Sequence, residues 1–112
     1  MKVFKFGGAS VKDAAAVKNV AAILERYKDE QIIVVVSAMG KTTNALEELL
    51  DAYYHGRPNT MDLLEVVKRF HFDILKELFD GTSHPIFEEL HNTFVEIEWQ
   101  LEEEQMREYD FE

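Results

Sequence analysis

Two short stretches hold most of the residues in this chain that can do chemistry. The first is Lys5-Phe6-Gly7-Gly8-Ala9-Ser10. Two consecutive glycines let a backbone approach a ligand closely and present N–H groups to it, and a helix starting just beyond adds partial positive charge. Lys5 sets a full positive charge beside them. A bound polyphosphate needs these features, and so does the charge that develops on a phosphoryl group in transfer. The same residues also suit a plain tight turn with an exposed lysine, and a lone Gly-Gly does not decide between the two.

The second stretch is Ser37-Ala38-Met39-Gly40-Lys41-Thr42-Thr43-Asn44. Gly40-Lys41-Thr42 invites a P-loop reading, but the first glycine of G-x-x-x-x-G-K-[ST] would fall on Val35. What remains is a small, hydroxyl-rich loop. At the carboxyl end of a parallel strand such a loop lies on the edge where open α/β sheets bind ligands. The alternative is a set of helix caps, with Thr43 or Asn44 capping Ala45 onward.

Other polar residues form no comparable group. His84 and His91 are seven apart and can share a helix face, but no third metal ligand accompanies them. His71 sits on an apolar stripe, as a hydrogen-bonded core or boundary histidine does. Glu102-Glu103-Glu104 reads as a solvated face and Trp99 as packing. Phe87, Phe94 and Leu101 recur every seven residues and can form a helix–helix seam, within one chain or between copies.

The elements that must position the two stretches can be read from periodicity. Residues 2–6 are short, aromatic and β-branched and stop at Gly7-Gly8, which predicts a strand. Ser10 and Asp13 suggest a capping box opening a helix to about Lys28, with Val17, Val20, Ala21, Leu24 and Tyr27 on one face. Residues 31–37 are a near-continuous β-branched run, the pattern of a parallel strand buried on both faces. Strand, helix and strand form a βαβ unit. Beyond it, Leu46, Leu49, Leu50, Tyr53 and Tyr54 stripe a helix that ends at Gly56-Arg57-Pro58. Asn59 or Thr60 can cap the next, which carries Leu64, Val67, His71, Ile74, Leu75 and Leu78 until Gly81. Pro85 suits a first helical position, ahead of Ile86, Leu90, Phe94, Ile97 and Leu101.

The fold class expected is therefore α/β: part of a parallel sheet over residues 1–56, followed by a helical segment over 57–112. Two parallel strands make a poor sheet, and the strands that should flank residues 32–36 do not occur in this sequence. With the chain stopping at Asp110-Phe111-Glu112, the expectation is an N-terminal piece of a larger catalytic domain.

Composition narrows the function classes. The chain has 112 residues, 46% hydrophobic and 30% charged, with no cysteine. Disulfide scaffolds, thiolate metal sites and cysteine nucleophiles are excluded. No apolar run approaches the roughly 18 residues of a membrane helix, and no secretion signal is visible at the N-terminus, so a cytoplasmic protein is expected. The net charge of −10 is uneven: residues 1–56 carry seven basic and seven acidic side chains, residues 57–112 five and fifteen. Such an acidic surface repels phosphate backbones, which argues against nucleic acid and assigns any anion site to the first half.

Taken together, Lys-Phe-Gly-Gly-Ala-Ser-Val at residues 5–11 and Val-Val-Val-Ser-Ala-Met-Gly at 34–40, followed by Thr43-Asn44, resemble the aspartate kinases of the amino-acid-kinase superfamily. The likeness covers about residues 2–50, with both motifs in the family's order and separation. Ala9 departs from it, standing where the family usually carries threonine and removing one hydroxyl near the phosphates. The resemblance implies an amino-acid-kinase-like fold and phosphorylation of the L-aspartate side-chain carboxylate by Mg-ATP, the first step towards lysine, threonine and methionine. It implies that Lys5 holds the transferring phosphoryl group, with Phe6, Gly7, Gly8 and Ser10 at the ATP phosphates. Ser37 and Thr43 would contact the amino acid, with Asn44 fixing the loop. No protein metal ligand is implied, and the implied partners are ATP and L-aspartate, in a homo-oligomer, with no nucleic acid and no membrane. The family's acidic substrate-binding residue, nucleotide-base pocket and ACT regulatory domains lie further on and are absent here, so this piece alone is expected to be inactive. The rival readings are a kinase for another acid, such as glutamate or acetylglutamate, and a non-catalytic helical interaction module.

Overall fold

In the computed structural model, which describes residues 1–111 and the side chains of residues 1–102, the chain forms two compact units divided within one helix. The first unit, Met1–Glu48, holds both strands and the first helix; the second begins at Leu49 and is helical.

In the first unit, β1 (Lys2–Phe6) pairs in parallel with β2 (Ile32–Val36), residue for residue from Lys2 opposite Ile32 to Phe6 opposite Val36. Parallel strands need a crossover, and it is made by a 3-10 turn (Gly8–Val11) and α1 (Ala14–Glu25). Alternation divides the sheet's side chains between two faces. Phe4 and Phe6 stack on one face at 6.3 Å, and Tyr27, just past α1, tilts against Phe4 at 4.9 Å. The other face carries Val3, Lys5, Ile33 and Val35, and stays open: Val3 is 61% exposed, Ile33 and Val35 46% each. The β-branched run is thus a strand as expected, but not one buried on both faces. The unit's buried apolar residues are few: Val11, Ala14 and Val20.

The first helix begins later than the Ser10 capping box predicts. Asp13 itself is the N-cap, extended at φ −156°, and its carboxylate accepts the Ala16 N–H at 2.8 Å. Ser10 lies in the 3-10 turn, its N–H donated to the Gly7 carbonyl at 3.0 Å. An aspartate is the stronger cap because its charge also complements the helix dipole. The helical register ends at Glu25, and residues 26–28 finish it with tightened turns back to Ile23, Leu24 and Glu25.

α2 (Thr42–Tyr54) contains the division between the units. It ends in a Schellman motif: Gly56 at φ +65° turns the chain, the Gly56 N–H reaches the Tyr53 carbonyl and the Arg57 N–H that of Ala52. α3 (Thr60–Leu78) follows Asn59, whose side chain makes no capping bond; Thr60 instead donates its hydroxyl to the Arg57 carbonyl at 3.1 Å. α4 (Pro85–Phe111) has Pro85 at its first position as predicted and continues past Leu101.

The second unit's core is an α3–α4 hairpin. Phe72 lies 6.3 Å from both Phe87 and Phe94, and Phe79 meets Phe87 edge-on at 6.5 Å. Leu64, Val67, Ile74, Phe87 and Phe94 are buried. The seven-residue repeat of Phe87 and Phe94 is therefore a seam within this chain. His71 is the half-buried boundary histidine expected, its Nδ1–H donated to the Val67 carbonyl at 2.8 Å. Trp99, read as packing, is 65% exposed. Glu103 and Glu104, read with Glu102 as a solvated face, lie outside the described side chains.

Candidate functional site

Parallel pairing brings the carboxyl ends of β1 and β2 side by side, and with them the two stretches singled out in the sequence. Backbone hydrogen bonds fasten the loops to each other. The Ser37 N–H donates to the Phe6 carbonyl at 2.9 Å, extending the ladder by one step, and the Gly40 N–H donates to the Gly8 carbonyl at 3.2 Å. Residues twenty-five or more apart in sequence thus share one edge.

On the first loop, Lys5 is exposed in the penultimate position of β1, and no described acid pairs with it. Phe6 is half-buried against Phe4, which sets the end of the strand. Gly7 lies in extended backbone at φ −78°. Among the described residues, nothing accepts the N–H of Gly7 or Gly8, so both remain available to a ligand. The Ser10 N–H is already bonded, leaving its exposed hydroxyl as the group it can offer. Ala9 is exposed in the 3-10 turn and offers no hydroxyl.

The positive end of α1 does not contribute as the sequence suggests. Six residues separate Gly7 from the helix start at Ala14, and the Asp13 carboxylate already occupies that end. Dipole effects fall off within the first turn, so on the first loop the groups that can attract an anion are Lys5 and the free amides.

On the second loop, Met39 to Thr42 closes a turn: Gly40 takes φ +55°, in the left-handed region that favours glycine, and the Thr42 N–H reaches the Met39 carbonyl at 3.0 Å. The Thr42 hydroxyl donates to the same carbonyl, and its side chain is buried. Sequence reasoning missed this role for Thr42. Its signal was position, directly after Gly-Lys, at the point where a strand-to-helix turn needs an internal anchor. α2 starts at Thr42, so Thr43 and Asn44 are first-turn residues and not caps. Both are exposed, as is Ser37. With no described partner for their side chains, these groups are free to bind a small polar molecule.

Elsewhere, a shallow hollow of about 420 Å³ lies along α3, lined by Asp62, Glu65, Val66, Arg69, Phe70 and Asp73. All six are on one helix and the lining is net acidic, so it does not suit an anionic ligand. No group of three or more potential metal-ligating side chains occurs among the described residues. His84 stacks on Phe79 at 4.2 Å and accepts the Ile86 N–H at 3.1 Å, a structural role at the start of α4.

The loop pair thus lies at the carboxyl edge of parallel strands in an α/β unit, the edge where open α/β sheets bind ligands, and comparison gives the class. A profile of the amino acid kinase family matches residues 1–98, and the chain belongs to that family. Within it, the similarity is to aspartokinases. Aspartokinase 2, chloroplastic, of Arabidopsis thaliana is 38% identical over 84 residues, 75% of this chain and 14% of that protein. Aspartokinase 2 of Bacillus subtilis is 50% identical over 52 residues, 45% of this chain and 13% of that protein. The aspartokinase of Chlamydia trachomatis is 33% identical over 105 residues, 94% of this chain and 23% of its own length. The match therefore spans between 8% and 23% of the length of the relatives. No helix among the described residues is long and apolar enough to cross a membrane.

Proposed function

We propose that this chain supplies the phosphate loop and part of the acceptor loop of an aspartate kinase. In this reading the γ-phosphoryl group of Mg-ATP passes to a side-chain carboxylate oxygen of L-aspartate, giving aspartyl 4-phosphate and ADP. The observation that carries it is the pair of loops joined by the Gly40–Gly8 hydrogen bond, with Lys5 at their edge and no described acid paired with it.

Phosphoryl transfer asks little covalent chemistry of a protein and much positioning and charge stabilisation. The free N–H groups of Gly7 and Gly8 and the Ser10 hydroxyl bind phosphate oxygens, with Phe6 holding the strand end in place. The Lys5 ammonium stabilises charge on the transferring group. Ser37 and Thr43 bind the amino acid and Asn44 fixes their loop. Magnesium enters with ATP as part of the substrate. Residues beyond this chain complete the clamp, since one lysine and one glycine turn enclose the phosphates from one side only. We assign the activity to the cytoplasm, in a protein that assembles with copies of itself.

The test is isotope transfer from γ-labelled ATP by the full-length protein. Label is expected on aspartate and not on glutamate or acetylglutamate. Label on one of those acids instead would make it a different amino-acid kinase, and no transfer to any acid would favour a non-catalytic role.

A further inference from the structure

The two glycines of the first loop look alike in sequence and differ in the structure. A methyl group built on Gly8 would lie 2.8 Å from the Gly40 carbonyl oxygen and 3.5 Å from that of Ala38. The first distance is closer than real Cβ atoms come, and both neighbours are backbone, which cannot rotate aside. The Gly8 carbonyl also accepts the Gly40 N–H at 3.2 Å. Gly8 and Gly40 are therefore in contact through both peptide groups. Gly40, at φ +55°, is turned to make that contact by a conformation few other residues adopt readily. Gly7 shows none of this. Its φ of −78° suits any residue, and an added methyl group would meet nothing within 4 Å.

We propose that Gly8, beyond offering its N–H to the phosphates, is a positioning residue: its missing side chain lets the first loop clamp onto Gly40 and so sets the distance between the two substrates, while the missing side chain of Gly7 leaves room for the phosphates. The proposal rests on the kinase reading for its substrates, but the clamp is a property of the fold. Each loop carries one reactant. A methyl group at position 8 pushes the loops apart by some tenths of an ångström, which disturbs the alignment of donor and acceptor together. A methyl group at position 7 intrudes on the nucleotide alone. Misplacement of reacting groups by about 1 Å can cost on the order of 100-fold in rate.

The experiment compares Gly7→Ala and Gly8→Ala in the full-length protein, by steady-state kinetics and by amide hydrogen exchange resolved at single residues. In the wild type without nucleotide, the bonded Gly40 N–H is expected to exchange at least ~10-fold more slowly than those of Gly7 and Gly8, which have no partner. Gly8→Ala is expected to abolish that protection, raise KM for ATP and amino acid together and lower kcat. Gly7→Ala is expected to keep Gly40 protected and raise KM for ATP alone. A Gly8→Ala protein that keeps Gly40 protected, or changes only the ATP KM, overturns the proposal. Should Gly8→Ala fail to fold, the wild-type comparison decides, and a Gly40 N–H exchanging as fast as that of Gly7 overturns it. A wild type with no phosphoryl transfer refutes the kinase reading, whereas the exchange results still decide the clamp.

Discussion

At the scale of single residues, the proposed chemistry rests on groups the fold leaves without a described partner. Lys5 has no described ion-pair partner, unlike Lys2, which pairs with Glu30 at 3.4 Å and lies over the Tyr27 ring at 4.6 Å. A cation on a strand end without an internal partner is free to act on a ligand. Lys5→Ala in the full-length protein is expected to lower kcat by on the order of 100-fold with a much smaller change in KM, because its interaction strengthens as charge develops in the transition state. Near-normal turnover would remove Lys5 from the mechanism. Thr43 is an exposed first-turn residue of α2 with a hydroxyl that serves nothing in the described chain. Valine keeps its shape and β-branching, so Thr43→Val spares the helix. The expected result is a loss of about 10-fold or more in kcat/KM for the amino acid, the value of a hydrogen bond to a charged group, with ATP use unchanged. Equal losses for both substrates would show that Thr43 acts on the loop as a whole.

At the scale of elements, the two loops are held by turn chemistry more than by a core. Asp13 stops the 3-10 turn and starts α1, which fixes how far the glycine loop lies from the helix. Removing an N-cap carboxylate costs about 1 kcal/mol. Asp13→Ala is therefore expected to lower stability by that amount in chemical denaturation. Because Asp13 blocks the dipole from reaching the loop, its removal is not expected to weaken ATP binding. Weaker ATP binding in step with the lost stability would show that α1 placement controls the site. In the sequence, Ser10 and Asp13 both suit a cap. Only the observed bond to the Ala16 N–H separates them. The helical half was read more fully, because Phe87 and Phe94 repeat at a spacing that only one face of a helix can hold.

At the scale of the whole molecule, the first unit has more apolar surface than it can cover. Val36 is 54% exposed and Val3 61%, while the buried apolar residues of the unit are only Val11, Ala14 and Val20. An open β-branched face and an unpaired strand edge promote association. The 112 residues alone are expected to self-associate in sedimentation and to release no ADP in a coupled assay with ATP and aspartate. A stable monomer at high concentration, or aspartate-dependent turnover, would show that the unit is complete as it stands.

The sequence by itself determined the two strands, the parallel pairing implied by a helical crossover, the helical second half and the two loops that follow the strands. Each follows from short-range pattern: a β-branched run, a helical stripe, a glycine pair at a strand end. The tertiary structure alone decided that Gly8 touches Gly40, that Thr42 and not Thr43 anchors the second turn, and that Asp13 and not Ser10 caps α1. It also left open a sheet face that the β-branched run of β2 had suggested was buried. Those outcomes depend on which backbone groups meet across thirty residues of chain. Residue type limits such contacts, but only the register of β1 on β2 selects them.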